Sequence, residues 1–157
     1  MTIKSLERFA AQGGWWVVAQ FGLFGLILLA LRQNRDPAVA LQVIGWVAVI
    51  VALFLGGSGM WVIRRKITAM PAPADGAELF EHGPFAIVRH PIYSGVILGF
   101  IGLSIKGGNV VALLLSLLLV PFFYAKSLHE ERLLVARFPA YEAYRERVRY
   151  RVLPWIL

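Results

Sequence analysis

The sequence contains no cysteine, which excludes a disulfide framework, a thiolate nucleophile and a thiolate metal site. Charge is scarce as well: 16% of the 157 residues are Asp, Glu, Lys or Arg, against about 25% in soluble globular domains. The shortage falls mainly on acids, with nine Asp and Glu beside sixteen Lys and Arg. No internal repeat or low-complexity tract is present, and no G-x-G-x-x-G follows a strand-like run, so nothing marks a soluble dinucleotide-binding fold.

What the chain has instead is apolar length. Hydrophobic residues make up 59% of it. Two stretches carry no ionisable side chain, 17 residues from Trp15 to Leu31 and 26 from Ala38 to Ile63. Runs near ~20 residues cross ~30 Å of hydrocarbon as helices. Four crossings would use about 80 residues and leave too little chain for a separate soluble domain. The expectation is one membrane-embedded domain, 1–157, made of an N-terminal helical hairpin over residues 1–66 and a cofactor-binding catalytic region over residues 67–157.

The formal charge of +7 would suggest nucleic acid in a soluble chain, but its distribution points to a membrane and not to nucleic acid. Lys and Arg number two in 1–14, four in 64–91 and seven in 126–157, against two in 32–37 and one in 106–109. The positive-inside rule then places both termini and the middle loop in the cytoplasm of a multi-pass protein. Lys4 and Arg8 precede the first apolar run as in a signal peptide, but 17 residues is long for an h-region and Leu28-Leu29-Ala30-Leu31 is no cleavage site. It reads as a retained span.

Trp15 and Trp16 follow Gly13-Gly14 as an interfacial belt. The polar turn 32–37 predicts an antiparallel hairpin of the first two helices. Gly56-Gly57-Ser58-Gly59 gives the second a small-residue face for close helix contact. The segment Thr68 to Pro91 is longer than a connector requires, which points to function. Pro91 opens a third run, Ile92 to Ile105, of 14 residues, about 21 Å as a helix. Gly107-Gly108-Asn109 predicts a tight turn, and a fourth run, Val110 to Ala125, should be kinked near Pro121. A charged helix then continues through Lys126 to Arg132 until Pro139 breaks it. Beyond the break, Tyr141, Tyr144, Arg145 and Val148 share one side of a short helix. The fold class is all-α: a polytopic membrane protein of about four transmembrane helices in two antiparallel hairpins, plus cytoplasmic C-terminal helices.

The third and fourth runs, paired antiparallel, bring Arg89-His90-Pro91-Ile92-Tyr93 beside His129-Glu130-Glu131-Arg132. An Arg-His pair entering an apolar helix is costly unless paired or functional, and two adjacent carboxylates could receive it or receive ligand hydroxyls.

These residues resemble a known family. Arg89-His90-Pro91-x-Tyr93, a hydrophobic hairpin and then Glu130-Glu131 are similar to the signature of the isoprenylcysteine carboxyl methyltransferase family and its phospholipid methyltransferase relatives. The likeness extends through Leu79, Gly83-Pro84-Phe85, Arg137-Phe138-Pro139, Tyr141, Tyr144, Arg147-Val148 and Leu153-Pro154. It implies an integral membrane methyltransferase using S-adenosyl-L-methionine on a small lipophilic or isoprenylcysteine-like acceptor. The cofactor would enter from the cytoplasm and the acceptor from the bilayer. By the same resemblance, cofactor contacts fall on Ala77, Glu78, Leu79, Phe80, Phe85, His90, Pro91, Ile92, Tyr93 and Glu130, and catalytic roles on Lys126, Arg89 and Glu131. The family places an Arg where Lys126 stands, often Tyr at Phe85, and commonly Gly at Pro139. Lysine keeps the charge but not the bidentate fork, which leaves the acceptor open. The alternatives are a phospholipid amine N-methyltransferase, a sterol-reductase-like NADPH enzyme sharing the RHP element, and a non-enzymatic membrane scaffold.

Overall fold

The protein is described by a computed structural model covering residues 7, 9–33, 35–64 and 79–153. All regular structure among them is helical. Helices α1 (Gly14–Ala30), α2 (Val39–Ile63), α3 (Pro91–Lys106), α4 (Val110–Leu117), α5 (Leu119–Arg137) and α6 (Tyr141–Arg147) follow in order, with short 3-10 turns at Leu31–Gln33 and Gly83–Ala86. Among the described residues three stretches are long and apolar enough to cross a membrane: Gly14–Gln33, Val39–Ile63 and Val110–Arg137. Pro91–Lys106 is a shorter apolar helix. Many of the large apolar side chains of α1 and α2 face outward, among them Phe21, Leu29, Leu53, Phe54 and Trp61, as helices bathed in lipid require. This is an all-α membrane protein.

Local signals act where expected. Pro91 occupies the first turn of α3, where its missing N–H is harmless. Gly108 takes φ 60°, and Asn109 caps α4 by accepting a hydrogen bond from the Ala112 amide at 2.8 Å. The fourth run breaks at Leu118, between α4 and α5. Pro121 explains it, because its ring collides with the carbonyl four residues earlier, at Leu117, and supplies no N–H. The charged continuation runs to Arg137, and a turn at Pro139 leads into α6.

Packing departs from the hairpin expectation for the first two helices. The main partner of α2 is α3, while α1 lies against α4 and reaches α3 through Phe24 on Phe100. The cause is a glycine seam. A Cβ on Gly95 would stand 2.7 Å from the Gly56 Cα, and one on Gly102 would stand 2.8 Å from the Gly45 carbonyl oxygen. Gly59 lies against Pro91 and Ile92. Such contacts let backbones meet, which is how helices associate where lipid removes the hydrophobic drive. Helix α1 brings bulk instead: Ile27 is fully buried beside Ile97, Leu119, Phe123 and Val152, with Phe24 packed around them. Beyond the break, Tyr141, Tyr144 and Val148 form a second cluster with Leu79, Leu134, Val135 and Phe138. Arg145 does not join that face: it is exposed beside Glu142.

Candidate active site

Arg89 and His90 lie just before α3, and His90, which directly precedes a proline, is kept out of the helical region, with φ −125° and ψ 63°. Their backbone N–H groups therefore point away from α3, and the chain end supplies acceptors: Arg89 N–H donates to the Tyr150 carbonyl and His90 N–H to the Arg151 carbonyl, each at 2.9 Å. Ser94 Oγ reaches the Val152 carbonyl, and Val152 is itself fully buried in the core. The C-terminal segment is thus strapped across the entry to α3.

Glu131 on α5 is the electrostatic hub of this strap. Its Oε1 accepts from Arg89 Nε at 2.8 Å, Arg151 Nε at 3.0 Å and His90 Nε2 at 3.2 Å, and its Oε2 accepts from Arg151 Nη2 at 3.0 Å. Its side chain is only 4% exposed. Arg89 also donates to the carbonyls of Val148 and Arg149. A buried carboxylate gathered by two guanidinium groups satisfies the rule that buried charges be paired and hydrogen-bonded. Arg151, half-buried, is lowered by burial, but its bonds to Glu131 outweigh this and hold its pKa above the ordinary arginine value.

Glu130, the next residue, has a different environment because adjacent helical side chains point about 100° apart. Its side chain is 23% exposed. Tyr93 Oη donates to its Oε2 at 2.7 Å, while Oε1 takes no hydrogen bond among the described residues. The Tyr93 ring lies parallel to His90, 5.3 Å between centroids, and stacks on Phe123 at 4.5 Å. Lys126 Nζ lies 5.3 Å from the Tyr93 ring centroid and donates to Gln20 Oε1 at 2.6 Å. Lys126 is almost wholly buried, so its stem and charge are held inside the helix seam.

The fold therefore gathers Arg89, His90, Tyr93, Lys126, Glu130 and Glu131 at one end of the helices. Other expected contacts are placed differently. Pro91 and Ile92 turn toward Gly59 on α2. Leu79 packs with Tyr141 and Tyr144, Phe80 makes a ring contact with His82, and the Phe85 carbonyl accepts from Tyr144 Oη at 2.7 Å. Burial pushes the hydroxyls of Tyr141 and Tyr144 well above the usual tyrosine pKa, Glu131 adding to the effect at Tyr141. Ala77 and Glu78, and most of the 68–91 segment's first half, lie outside the described residues.

Two participants, Gln20 and Arg151, escape sequence reading, while His129 already stood in the cluster beside Glu130. Gln20 carried a usable signal: a lone amide in an apolar span needs an internal partner. His129 has a buried Nε2 with no hydrogen-bond partner among the described residues, its ring 6.3 Å from that of Trp16. Arg151 had no signal, because one arginine among several in a basic tail looks like any other.

A buried cluster of carboxylate, imidazole and tyrosine at one end of the helices of a membrane protein makes a candidate active site. A profile of the phospholipid methyltransferase family matches residues 40–140, and the chain belongs to that family; it is a membrane methyltransferase. A search among curated proteins finds no match.

Proposed function

We propose that the enzyme is a single-domain S-adenosylmethionine-dependent methyltransferase whose acceptor is a small lipophilic molecule drawn from the bilayer. The observation that carries the reading is Glu130: a half-buried carboxylate with one oxygen held by Tyr93 and the other open, beside a stacked His90–Tyr93 pair. These residues fit an adenosyl amino-acid cofactor. Glu130 can accept from ribose hydroxyls or an amino group, the aromatic stack can face adenine or a sulfonium, and His90 can donate to a carboxylate. Bound there, the cofactor supplies an electrophilic methyl group. The chain's own residues bind, orient and exclude water, and positioning of this kind accounts for much of a displacement's barrier reduction. Arg89 and Glu131 act as positioning residues, since their polar atoms are spent on each other, on His90 and on the C-terminal strap.

The family match favours a second acceptor class, the amine of a phospholipid. Lys126 supports it: its ammonium is engaged by Gln20 rather than presented as a fork for a carboxylate. In either case the site end faces the cytoplasm, the side that the basic-residue distribution assigns to both termini.

Calorimetric titration of the detergent-purified protein with S-adenosylhomocysteine, in parallel with NADPH, tests the cofactor assignment. Micromolar-range binding of the former, absent for NADPH and lost in Glu130→Ala, is expected. A folded protein that binds neither, or binds NADPH alone, overturns it.

A further inference from the structure

At the opposite end of the helices from Glu130, α1 and α4 flank an open pocket of about 340 Å³. That volume lies within the range of about 300–1,000 Å³ of small-ligand sites. Its walls are apolar: Leu26, Leu29 and Ala30 from α1 face Val110, Val111 and Leu115 from α4. Its mouth is polar, formed by Gln33, Arg35 and Asn109. The Asn109 amide is spent on structure, donating to the Ala30 carbonyl at 2.7 Å and the Gln33 carbonyl at 3.0 Å. Those bonds tie the end of α1 to the start of α4 and fix the cavity's shape.

Arg35 is held differently. Its backbone N–H donates to the Gly107 carbonyl at 2.8 Å, so the residue is anchored at the mouth. Among the described residues its guanidinium forms no ion pair or hydrogen bond, and Asp36 beside it does not engage it. Only three of the chain's sixteen Lys and Arg belong to the segments at this end, Arg32, Arg35 and Lys106, and Lys106 rests on the Trp46 ring at 5.2 Å.

We propose that this cavity is a binding site for an anionic phospholipid of the leaflet remote from the active site. One acyl chain lies between α1 and α4, and the phosphate is gripped by Arg35. The charge is complementary, since the planar guanidinium matches phosphate oxygens two at a time. The walls select a lipid over a soluble anion: Leu29, Val110 and Val111 are more than half exposed in the isolated protein, and in a bilayer that surface meets hydrocarbon. The site is separate from the methyl-transfer centre and does not depend on its assignment.

Native mass spectrometry of the full chain, titrated in detergent with phosphatidylglycerol or phosphatidylcholine of matched acyl chains, tests the proposal, with inorganic phosphate as a third arm. Preferential retention of phosphatidylglycerol is expected. Arg35→Ala should weaken it roughly tenfold or more, the loss typical of a hydrogen bond to a charged group, and Arg35→Lys should restore part of the affinity. Leu29→Trp, which fills the cavity and leaves the charge, should weaken it too. Circular dichroism checks that each variant keeps its helicity, and Arg35→Gln replaces any Arg35→Ala protein that does not fold. Equal retention of the two lipids, affinity indifferent to Arg35, or competition by inorganic phosphate overturns the proposal.

Discussion

Replacing Glu131 with Gln removes one negative charge from the point where Arg89, His90 and Arg151 converge. Both carboxylate oxygens are committed there, at 2.8 to 3.2 Å from four donor nitrogens. Glutamine keeps the shape but offers one acceptor oxygen and turns an NH2 toward the guanidinium groups. Breaking a buried pair by removing one partner costs about 3–5 kcal/mol, because the remaining charge stays buried without compensation. Two features bring the expectation to the lower end of that range. Arg89 keeps its bonds to the Val148 and Arg149 carbonyls, and the Arg151 side chain is 15% exposed and can recruit water. We expect about 3 kcal/mol, a large share of the about 5–15 kcal/mol that holds a typical domain. The strap 148–152 should loosen first, since its backbone bonds to residues 89 and 90 depend on that geometry. The assay is thermal and denaturant unfolding of the detergent-purified protein, with S-adenosylhomocysteine affinity measured on the same samples. Glu130→Gln is the internal contrast, as it alters one hydrogen bond, from Tyr93, and a 3.6 Å contact with His90 Nδ1 at a half-buried position. It should change stability by about 1 kcal/mol or less while weakening ligand binding. If Glu131→Gln unfolds within about 1 kcal/mol of wild type, the hub is not what holds the strap, and the division of labour between the two glutamates is wrong.

The glycine seam makes a steric prediction: Gly95→Val would drive a Cβ to 2.7 Å from the Gly56 Cα and N, which are backbone and cannot yield. A loss of about 1–3 kcal/mol or more is expected in the same unfolding experiment, whereas Gly22→Ala, with nothing within 4 Å, should be neutral or slightly stabilising. Tyr144→Phe removes the bond to the Phe85 carbonyl and should cost about 1 kcal/mol. The pH dependence follows from burial of Tyr141 and Tyr144, which raises both hydroxyls. Below the unfolded tyrosine value of about 10 both states are protonated and the stabilisation is complete. As pH rises further the unfolded chain ionises first, so stability should fall, and less steeply in Tyr144→Phe. Denaturation curves between about pH 8 and 11 decide it.

What a residue's near neighbours control could be read directly from the chain. Pro91 starts a helix, Gly107-Gly108-Asn109 turns the chain, Pro121 interrupts the fourth run and Pro139 follows the fifth helix because ring geometry, missing N–H groups and glycine's backbone freedom act within a single turn. Apolar length marked the membrane helices, since hydrocarbon thickness is the same for every chain. The cluster was legible as well, because a short hairpin returns residue 130 to the level of residue 90. Pairings between distant segments needed the assembled fold. Helix α2 prefers α3 to α1 because glycines far apart in sequence, Gly56 and Gly95, Gly45 and Gly102, face one another, a match visible only once two surfaces meet. The roles of Glu130 and Glu131 diverge although the residues are adjacent and chemically identical. A rotation of about 100° per residue turns one into a seam shared with Arg89 and Arg151 and leaves the other half-open. Arg151 itself became a member of the site only through the strap, whose path depends on its carbonyls pairing the N–H groups of Arg89 and His90 and on burial of Val152 in a core built by four helices.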